Sequence, residues 1–133
     1  MIDCKFCEII NGKEDYKIWE NNNFIAVLDI MPAKTGHIMI IPKKHIGDIF
    51  DLEEQLFSEL FQTAKKLSEP LKKAMNAKRI GMVITGFAIP HAHLHLIPLH
   101  KSNELFDPLM FSRANSEELK YTQEILKKYF ENI

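Results

Sequence analysis

Between residues 90 and 98 the chain reads Pro90-His91-Ala92-His93-Leu94-His95-Leu96-Ile97-Pro98. Three of its six histidines therefore alternate with small or apolar residues. Because successive side chains of a strand point to opposite faces, the pattern predicts a strand over 91–98 with His91, His93 and His95 on one face, spaced by about 6.6 Å. Solvent-facing polar residues rarely repeat one residue type in register, so the row favours a chemical role.

Such a row of histidines has two chemical uses. A neutral ring nitrogen binds metal ions, and His-x-His on a strand can chelate one. An unprotonated ring nitrogen can instead act as a nucleophile or a general base near neutral pH. The uses are compatible when different histidines take them. The central His93 is best placed to attack, with its second nitrogen held by an acceptor such as a backbone carbonyl.

The rest of the chain predicts an α+β fold around this stretch. Further strands are indicated at 16–19, 24–28, 37–41 and 80–84, the first two joined as a hairpin by the turn signal Asn21-Asn22-Asn23. Short turns between several strands favour a mainly antiparallel, five-stranded sheet.

One long amphipathic helix is predicted after Asp51, which makes a capping-box pattern with Glu54. Apolar residues then recur on one helical face: Leu52, Leu56, Leu60, Ala64, Leu67, Leu71 and Met75. Pro70 lacks an amide proton and is expected to kink or break this helix near Leu67.

Two shorter helices are expected near the ends of the chain. Residues 4–12 can form one or two turns that stop at Asn11-Gly12. Asn115 and Glu118 make a second capping pattern before a C-terminal helix over about 115–131.

Length, composition and charge bound the function. The 133 residues are 46% hydrophobic and 26% charged, so we expect one globular domain over 1–133 that buries roughly 68% of its unfolded surface. A net charge of -1 gives no electrostatic footprint for duplex nucleic acid or a membrane surface. No apolar run approaches the ~20 residues of a membrane helix, and no signal-peptide pattern is seen, so a cytoplasmic protein is expected.

Four ordered blocks resemble the histidine triad (HIT) family. The segment 91–97 is similar to its His-φ-His-φ-His-φ-φ signature, where φ is apolar. Segments 4–12, 28–32 and 36–46 are similar to parts of its Hint-like branch. The motif-bearing part thus covers about 4–98, and the resemblance implies a HIT-like fold with the C-terminal helix as an extension.

The resemblance implies a nucleotide hydrolase or transferase that acts on the α-phosphate of nucleoside phosphoramidates, esters or dinucleotides, with a purine nucleotide or nucleotide conjugate as ligand. His93 matches the nucleophile that becomes nucleotidylated, and His95 and His37 match histidines that surround the phosphate. A cationic imidazole there could stabilise charge on the phosphoryl oxygens. Asp29 matches the carboxylate that binds the ribose hydroxyls, although a turn residue at a strand end is as good an interpretation.

The base pocket is also assigned by resemblance alone. Its apolar walls match Phe6, Ile9, Val27 and Ile30. Ordinary core positions are the commoner fate of such residues.

Both cysteines lie close together, as Cys4 and Cys7. In a reducing compartment this spacing favours metal ligation or redox chemistry over a structural disulfide. Similarity to zinc-bearing HIT proteins implies a structural Zn²⁺ on Cys4, Cys7, His45 and His91, which leaves His93 free. The alternative is a pair of partly buried thiols near a frayed terminus.

The loop before the triad departs from the family. Hint-like proteins usually have a longer polar loop there, with Asn and then Gly-Gln or Gly-Gln-Ser, whereas residues 83–90 are short and apolar. Phe87 and Ala88 stand where side chains would contact the phosphate or the leaving group. Backbone amides at 86–88 could still do so, with Thr85 as the nearby hydroxyl.

Three functions remain open at this point. The leading one is the HIT-type enzyme. The alternative is a nucleotide-binding, zinc-stabilised module with little turnover, which is favoured by the lack of Asn, Gln and Ser in the loop 83–90. A metal-dependent hydrolase with all three triad histidines on one catalytic zinc is the third. The family resemblance also implies a homodimer, which Phe57 and Phe61 support as extra apolar residues beside the main helical stripe. His100 matches nothing in the family pattern and is expected at the surface.

Overall fold

A computed structural model describes residues 3–13, 16–106 and 113–132. Within them, three α-helices surround one five-stranded sheet of order β1-β2-β3-β5-β4, in which every neighbouring pair is antiparallel. The α-helices and strands are α1 (Lys5–Ile10), β1 (Lys17–Glu20), β2 (Phe24–Leu28), β3 (Ile38–Pro42), α2 (Glu54–Ala74), β4 (Arg79–Val83), β5 (Leu94–Leu99) and α3 (Ser116–Phe130). Short 3-10 turns span Ile49–Asp51 and Glu104–Phe106. The predicted α+β class and antiparallel sheet are confirmed.

The two faces of the sheet bury two separate apolar clusters. On one face, α2 and α3 pack over the strands, and α2 contributes the fully buried Leu60, Leu67 and Leu71. Each such side chain stabilises the fold by roughly 1.5–3 kcal/mol through burial. On the other face α1 covers a smaller cluster, which contains Cys4, Phe6, Ile9, Ile25, Val27, Met39 and Ile41.

The triad strand is shorter than predicted, because β5 begins at Leu94 and leaves His91 and His93 before it. The peptide groups there bond to loop residues and not to a neighbouring strand. The His91 N–H donates to the carbonyl of Ile89 at 2.8 Å, and the Ala92 N–H donates to the carbonyl of Ile46 at 2.6 Å. The alternation of side chains nevertheless continues. Ala92 and Leu94 pack in the cluster under α2, whereas the histidines face the side of α1.

The long helix starts two residues later than predicted, with Glu53 instead of Asp51 as its N-cap. Asp51 belongs to a 3-10 turn whose N-cap is Asp48, a carboxylate that accepts from the Phe50 N–H at 2.9 Å. The helix itself begins at Glu54, and its N-cap Glu53 makes no side-chain capping bond. Asp51 and Glu54 thus both lie near the start of the helix, but Asp51 is the last residue of the 3-10 turn and does not cap α2.

Of the kink or break predicted near Leu67, the break does not occur, because α2 continues through Pro70 to Ala74; the kink stays a prediction. Leu67, Pro70 and Leu71 are all buried against the sheet. Their packing outweighs the lost hydrogen bond and the ring clash, which cost about 3 kcal/mol in a helix interior.

The shorter elements follow the sequence closely. The first two strands form the predicted hairpin, and α1 lies inside the predicted segment 4–12. Asn115 caps α3 by accepting from the Glu117 N–H at 2.7 Å. Across the described ranges, the helices are all too short or too polar to cross a membrane.

Candidate active site and metal centre

His93 is held in one tautomer by the backbone. Its side chain is 5% exposed, and its Nδ1–H donates to the carbonyl oxygen of His91 at 2.7 Å. Since a neutral imidazole carries one proton, the Nε2 atom keeps a free lone pair. The Phe6 ring packs edge-on against the imidazole, with centroids 5.0 Å apart. The predicted backbone acceptor is therefore present, and His93 has the form that a nucleophile needs.

His37 and His95 form a directed pair beside it. The Ala33 N–H donates to His37 Nδ1 at 2.9 Å, so the proton of neutral His37 is on Nε2. That Nε2 lies 2.8 Å from His95 Nδ1 and donates to it. The proton of His95 is consequently on Nε2. The centroids of the His95 and His93 rings are 5.0 Å apart. The His95 ring, which carries the Nε2–H donor, therefore lies next to the His93 ring.

Burial keeps both of these histidines neutral. It lowers the pKa of His37 to about 3, with the charge of His95 as the second cause. It lowers the pKa of His95 to about 4, with the charge of His93 as the second cause. The expected cationic imidazole near the phosphate is therefore not favoured at neutral pH. His95 can serve as a neutral hydrogen-bond donor instead.

Asp29 lies directly after β2, at the edge of the same group. Its Oδ2 is 3.5 Å from His37 Nε2 and 3.7 Å from His95 Nδ1. Its Oδ1 accepts from the Met31 N–H at 2.9 Å, the turn contact that the alternative interpretation requires. Burial raises the pKa of this carboxyl, although the Met31 hydrogen bond opposes the shift. Both interpretations of Asp29 thus have a structural basis.

The predicted base-pocket residues do not all share one cluster. Phe6, Ile9 and Val27 are buried together under α1, whereas Ile30 is half-buried and packs against the cluster on the other face. Ala88 lies exposed in the loop before the triad. Contact of these residues with a nucleotide stays a prediction.

Cys4, Cys7, His45 and His91 converge on one point, with their donor atoms all within 4.8 Å of one another. His91 Nδ1 is 3.5 Å from each cysteine sulfur and 3.1 Å from His45 Nδ1. Cys7 Sγ is 3.2 Å from His45 Nδ1. The sequence could not place the two histidines together by spacing, and the fold does so.

This donor set fits a tetrahedral zinc ion. At ordinary Zn–S and Zn–N bond lengths, neighbouring ligand atoms of a tetrahedral site lie about 3.3 to 3.8 Å apart, close to the sulfur–nitrogen and nitrogen–nitrogen separations of 3.1 to 3.5 Å found here. The Nε2–H of His91 donates to the Pro42 carbonyl at 2.7 Å, which leaves its Nδ1 unprotonated and turned to the cluster. Burial, followed by a hydrogen bond with Cys4, raises the pKa of the Cys7 thiol, an effect that a bound cation would reverse.

Among the described residues, the three triad histidines do not converge on one group of potential metal ligands. His91 lies in the cysteine cluster, and neither His93 nor His95 is among the potential ligands of that cluster. His37 and His95 do lie with Asp29 in a second group of potential ligands. However, the Ala33 N–H fixes the proton of His37 on the Nε2 that a metal would need. The geometry therefore argues against a catalytic metal on the triad.

The sequence predicted a backbone acceptor for His93 without identifying it, and it predicted no backbone partner for His37 or His91. The Ala33 amide, the Pro42 carbonyl and the His91 carbonyl each fix one histidine. Every residue has such groups, so no sequence signal could have identified them. Two cavities were also unforeseen. One of about 470 Å³ reaches Asp29 and His37 beside the start of α3, and one of about 160 Å³ borders His93.

Fold and site together define a histidine triad protein. The HIT domain model matches residues 11–102, and the chain belongs to this family. One relative, adenosine 5'-monophosphoramidase HNT1 of Saccharomyces cerevisiae, is 33% identical over 97 residues, which are 71% of this chain and 61% of the yeast protein.

Two solved structures share the whole fold. A hypothetical histidine triad nucleotide-binding protein from Sulfolobus tokodaii strain7 superposes with a TM-score of 0.83 at 31% identity, covering 97% of this chain and 93% of the other. A Zn-bound histidine triad family protein from Mycobacterium smegmatis superposes with a TM-score of 0.82 at 25% identity, covering 98% and 94%. The predicted HIT-like fold is confirmed.

Proposed function

We propose that this protein is a nucleotide hydrolase or nucleotidyl transferase of the zinc-bearing, Hint-like type. It acts on the α-phosphate of nucleoside phosphoramidates, esters or dinucleotides through a nucleotidyl-His93 intermediate. The observation that carries the proposal is the 2.7 Å hydrogen bond from His93 Nδ1 to the His91 carbonyl, because it frees Nε2 for attack. The phosphoramidase activity named for the yeast relative supports the same chemistry.

In the first step, the Nε2 lone pair of His93 forms a bond to the α-phosphorus. The bond from phosphorus to the leaving nitrogen or oxygen breaks, and its electrons go to the leaving atom, which gains one proton from solvent. The Nε2–H of His95 donates a hydrogen bond to a phosphoryl oxygen as charge develops there. His37 keeps that proton in place through its own Nε2–H.

In the second step, water attacks phosphorus and the bond to His93 Nε2 breaks. The water molecule loses one proton to solvent, which balances the proton used before, and a nucleoside monophosphate leaves. Dividing the displacement in two replaces one difficult step by two easier ones. Asp29 would hold the ribose hydroxyls, and the apolar residues of α1 would border a purine base.

The test is mass spectrometry of the intact protein, denatured at neutral pH after brief incubation with adenosine or guanosine 5'-phosphoramidate. The wild type is expected to carry one nucleotidyl group. His93→Ala is expected to carry none while it still binds nucleotide, and His37→Ala and His95→Ala should slow the reaction less. His100→Ala is the matched control, because His100 is an exposed histidine outside the site.

Two results would decide against this function. An adduct that persists in His93→Ala would remove the assigned nucleophile. Nucleotide binding without any adduct would favour the alternative, a zinc-stabilised binding module with little turnover. The exposed Phe87 and the few polar side chains of the loop are the observations that support that alternative.

We also propose one structural Zn²⁺ per chain on Cys4, Cys7, His45 and His91. Bound there, zinc would supply a crosslink between α1 and the segment before β5, and so contribute directly to folding. Elemental analysis of protein purified without added metal should give about one equivalent. Cys7→Ser should lose it and melt earlier, while Glu8→Ser, an exposed neighbour on α1, should do neither.

The homodimer remains a proposal with a structural basis. The rings of Phe57 and Phe61 on α2 lie tilted against each other with centroids 4.9 Å apart, Met82 on the edge strand β4 is 46% exposed, and together they offer an apolar surface. Sedimentation at micromolar concentration should show twice the 15.5 kDa chain mass. Phe61→Glu should shift it to monomer, and Tyr129→Glu, at an exposed position of α3, should not. A wild type that sediments only as monomer contradicts the proposal.

We place the protein in the cytoplasm, where reducing conditions keep Cys4 and Cys7 available to a metal. The domain assignment over 1–133 likewise stays a proposal.

A further inference from the structure

The turn over 33–37 carries the group that fixes the tautomer of His37. The Ala33 N–H donates to His37 Nδ1 at 2.9 Å, and the His37 N–H donates back to the carbonyl of Lys34 at 3.0 Å. The ring and the backbone of His37 are thus tied to the same short turn. When this turn shifts, the Ala33 N–H no longer points at Nδ1, and either nitrogen of the neutral ring can carry the proton.

Lys34 attaches this turn to a second segment of the chain. Its Nζ lies 2.5 Å from Oε2 of Glu104, a residue of the 3-10 turn that follows β5. The Lys34 side chain is 35% exposed and the Glu104 side chain is 10% exposed. Among the lysine–carboxylate pairs of the described residues, this one is the most shielded from water. A shielded pair is weakened less by dissolved salt than an exposed one.

Glu104 is itself held in one position. Its Oε1 accepts from the backbone N–H groups of His100 and Lys101. The Lys34 ammonium, followed by the His100 N–H, lowers the pKa of this carboxyl to about 2, so the carboxyl is ionised at neutral pH. One oxygen therefore closes the turn of Glu104, while the other faces Lys34. The carboxylate is a fixed anchor for the turn 33–37.

The turn also packs against apolar side chains. An added Cβ on Gly36 would lie 2.5 Å from the Met75 sulfur, just after α2, and 3.2 Å from Pro98 on β5. A methionine side chain is flexible and adapts to its surroundings. This packing therefore does not by itself fix the direction of the Ala33 N–H, whereas the ion pair with Glu104 holds the turn from a defined point.

We propose that the Lys34–Glu104 ion pair positions the turn 33–37 and thereby keeps the protons of His37 and His95 on their Nε2 atoms. Lys34 and Glu104 are positioning residues, because they act through the Ala33 N–H. The effect on rate rests on the proposed function. His95 offers its Nε2–H to a phosphoryl oxygen only while His37 Nε2 donates to His95 Nδ1. A His37 protonated on Nδ1 would instead accept from His95 Nδ1, and the Nε2 of His95 would lack a proton.

Long-range ¹H–¹⁵N correlation spectra of the imidazoles at pH 7 read these tautomers without substrate. The wild type is expected to show His37 and His95 protonated on Nε2, and Lys34→Met should show a measurable fraction of His37 protonated on Nδ1. For adenosine 5'-phosphoramidate, kcat of Lys34→Met should fall about tenfold with little change in KM, because the donor acts on charge that develops after binding. Lys34→Arg keeps the cation and should restore both the spectrum and kcat.

Glu104→Gln is the second variant, because a glutamine oxygen can still accept from the two backbone N–H groups while the charge is lost. It should match Lys34→Met, and the double variant should be no slower than either, since both substitutions remove the same pair. Lys17→Met is the matched control. Lys17 makes a 2.8 Å ion pair with Glu20 on the edge strand β1, and losing it should change neither the spectrum nor kcat.

Wild-type tautomers and kcat in both Lys34→Met and Glu104→Gln would overturn the positioning role. A fall in kcat with unchanged tautomers, or an equal fall in Lys17→Met, would overturn it as well. A wild type that forms no nucleotidyl adduct would refute the proposed function instead. The spectra would then decide the positioning role alone: tautomers fixed in the wild type and lost in the two variants support it, and unchanged tautomers overturn it.

Discussion

Acidification should destabilise this protein through the buried pair His37 and His95. An unfolded histidine has a pKa near 6.5, whereas the folded values are about 3 for His37 and about 4 for His95. The unfolded chain therefore binds more protons than the folded one below pH 6.5. Stability is present above that pH and is lost as the pH falls toward the folded values.

The magnitude follows from these values. Between pH 7 and pH 5, each of the two histidines is expected to lower the free energy of unfolding by about 2 kcal/mol. Asp29 acts in the opposite sense, because its raised pKa lets the folded state take up a proton first as the pH falls. Because Asp29 is present in the wild type and in the histidine variants, its contribution cancels when their pH dependences are compared.

The assay is urea unfolding of the wild type, His95→Gln and His100→Gln at pH 7, 6 and 5. Because the metal ligands are the same in all three, the difference between wild type and variant isolates the substituted histidine. The loss on acidification should be smaller by about 2 kcal/mol in His95→Gln and unchanged in His100→Gln. An identical pH dependence in the wild type and His95→Gln would refute the reasoning.

Two further predictions concern stability. Asn115→Ala should lower the free energy of unfolding by about 1 kcal/mol, since it removes the acceptor for the Glu117 N–H at the start of α3. The control Ser116→Ala should change the free energy of unfolding little. Equal effects of the two substitutions in chemical denaturation would contradict this prediction. Gly36→Ala should be more destabilising than Gly12→Ala by about 1 kcal/mol or more. Both glycines have positive φ, but an added Cβ at Gly36 would lie 2.5 Å from the Met75 sulfur and at Gly12 it would meet nothing within 4 Å; thermal melts that rank them the other way would contradict it.

Local pattern was enough to predict most of the elements. The alternation around the triad showed which residues share a face, and the packing of Ala92 and Leu94 under α2 agrees with it. Asn115 predicted a helix start that the structure contains. Such features depend on interactions between residues a few positions apart, so they can be predicted from the sequence alone. The start of α2 was predicted too early because a 3-10 turn precedes the helix, and the break considered at Pro70 does not occur because the helix is buried against the sheet there.

The chemistry of the candidate site was decided by tertiary contacts. The sequence supplied histidines and cysteines that can bind a metal or attack phosphorus, and the family resemblance assigned them to a metal site and a catalytic site. Only the fold placed Cys4 beside His91, which is 87 residues away, and only the fold aimed the Ala33 amide at His37 and the His91 carbonyl at His93. Backbone donors and acceptors are the same at every residue, so their choice of partner, and with it the tautomer of each imidazole, depends on three-dimensional position alone.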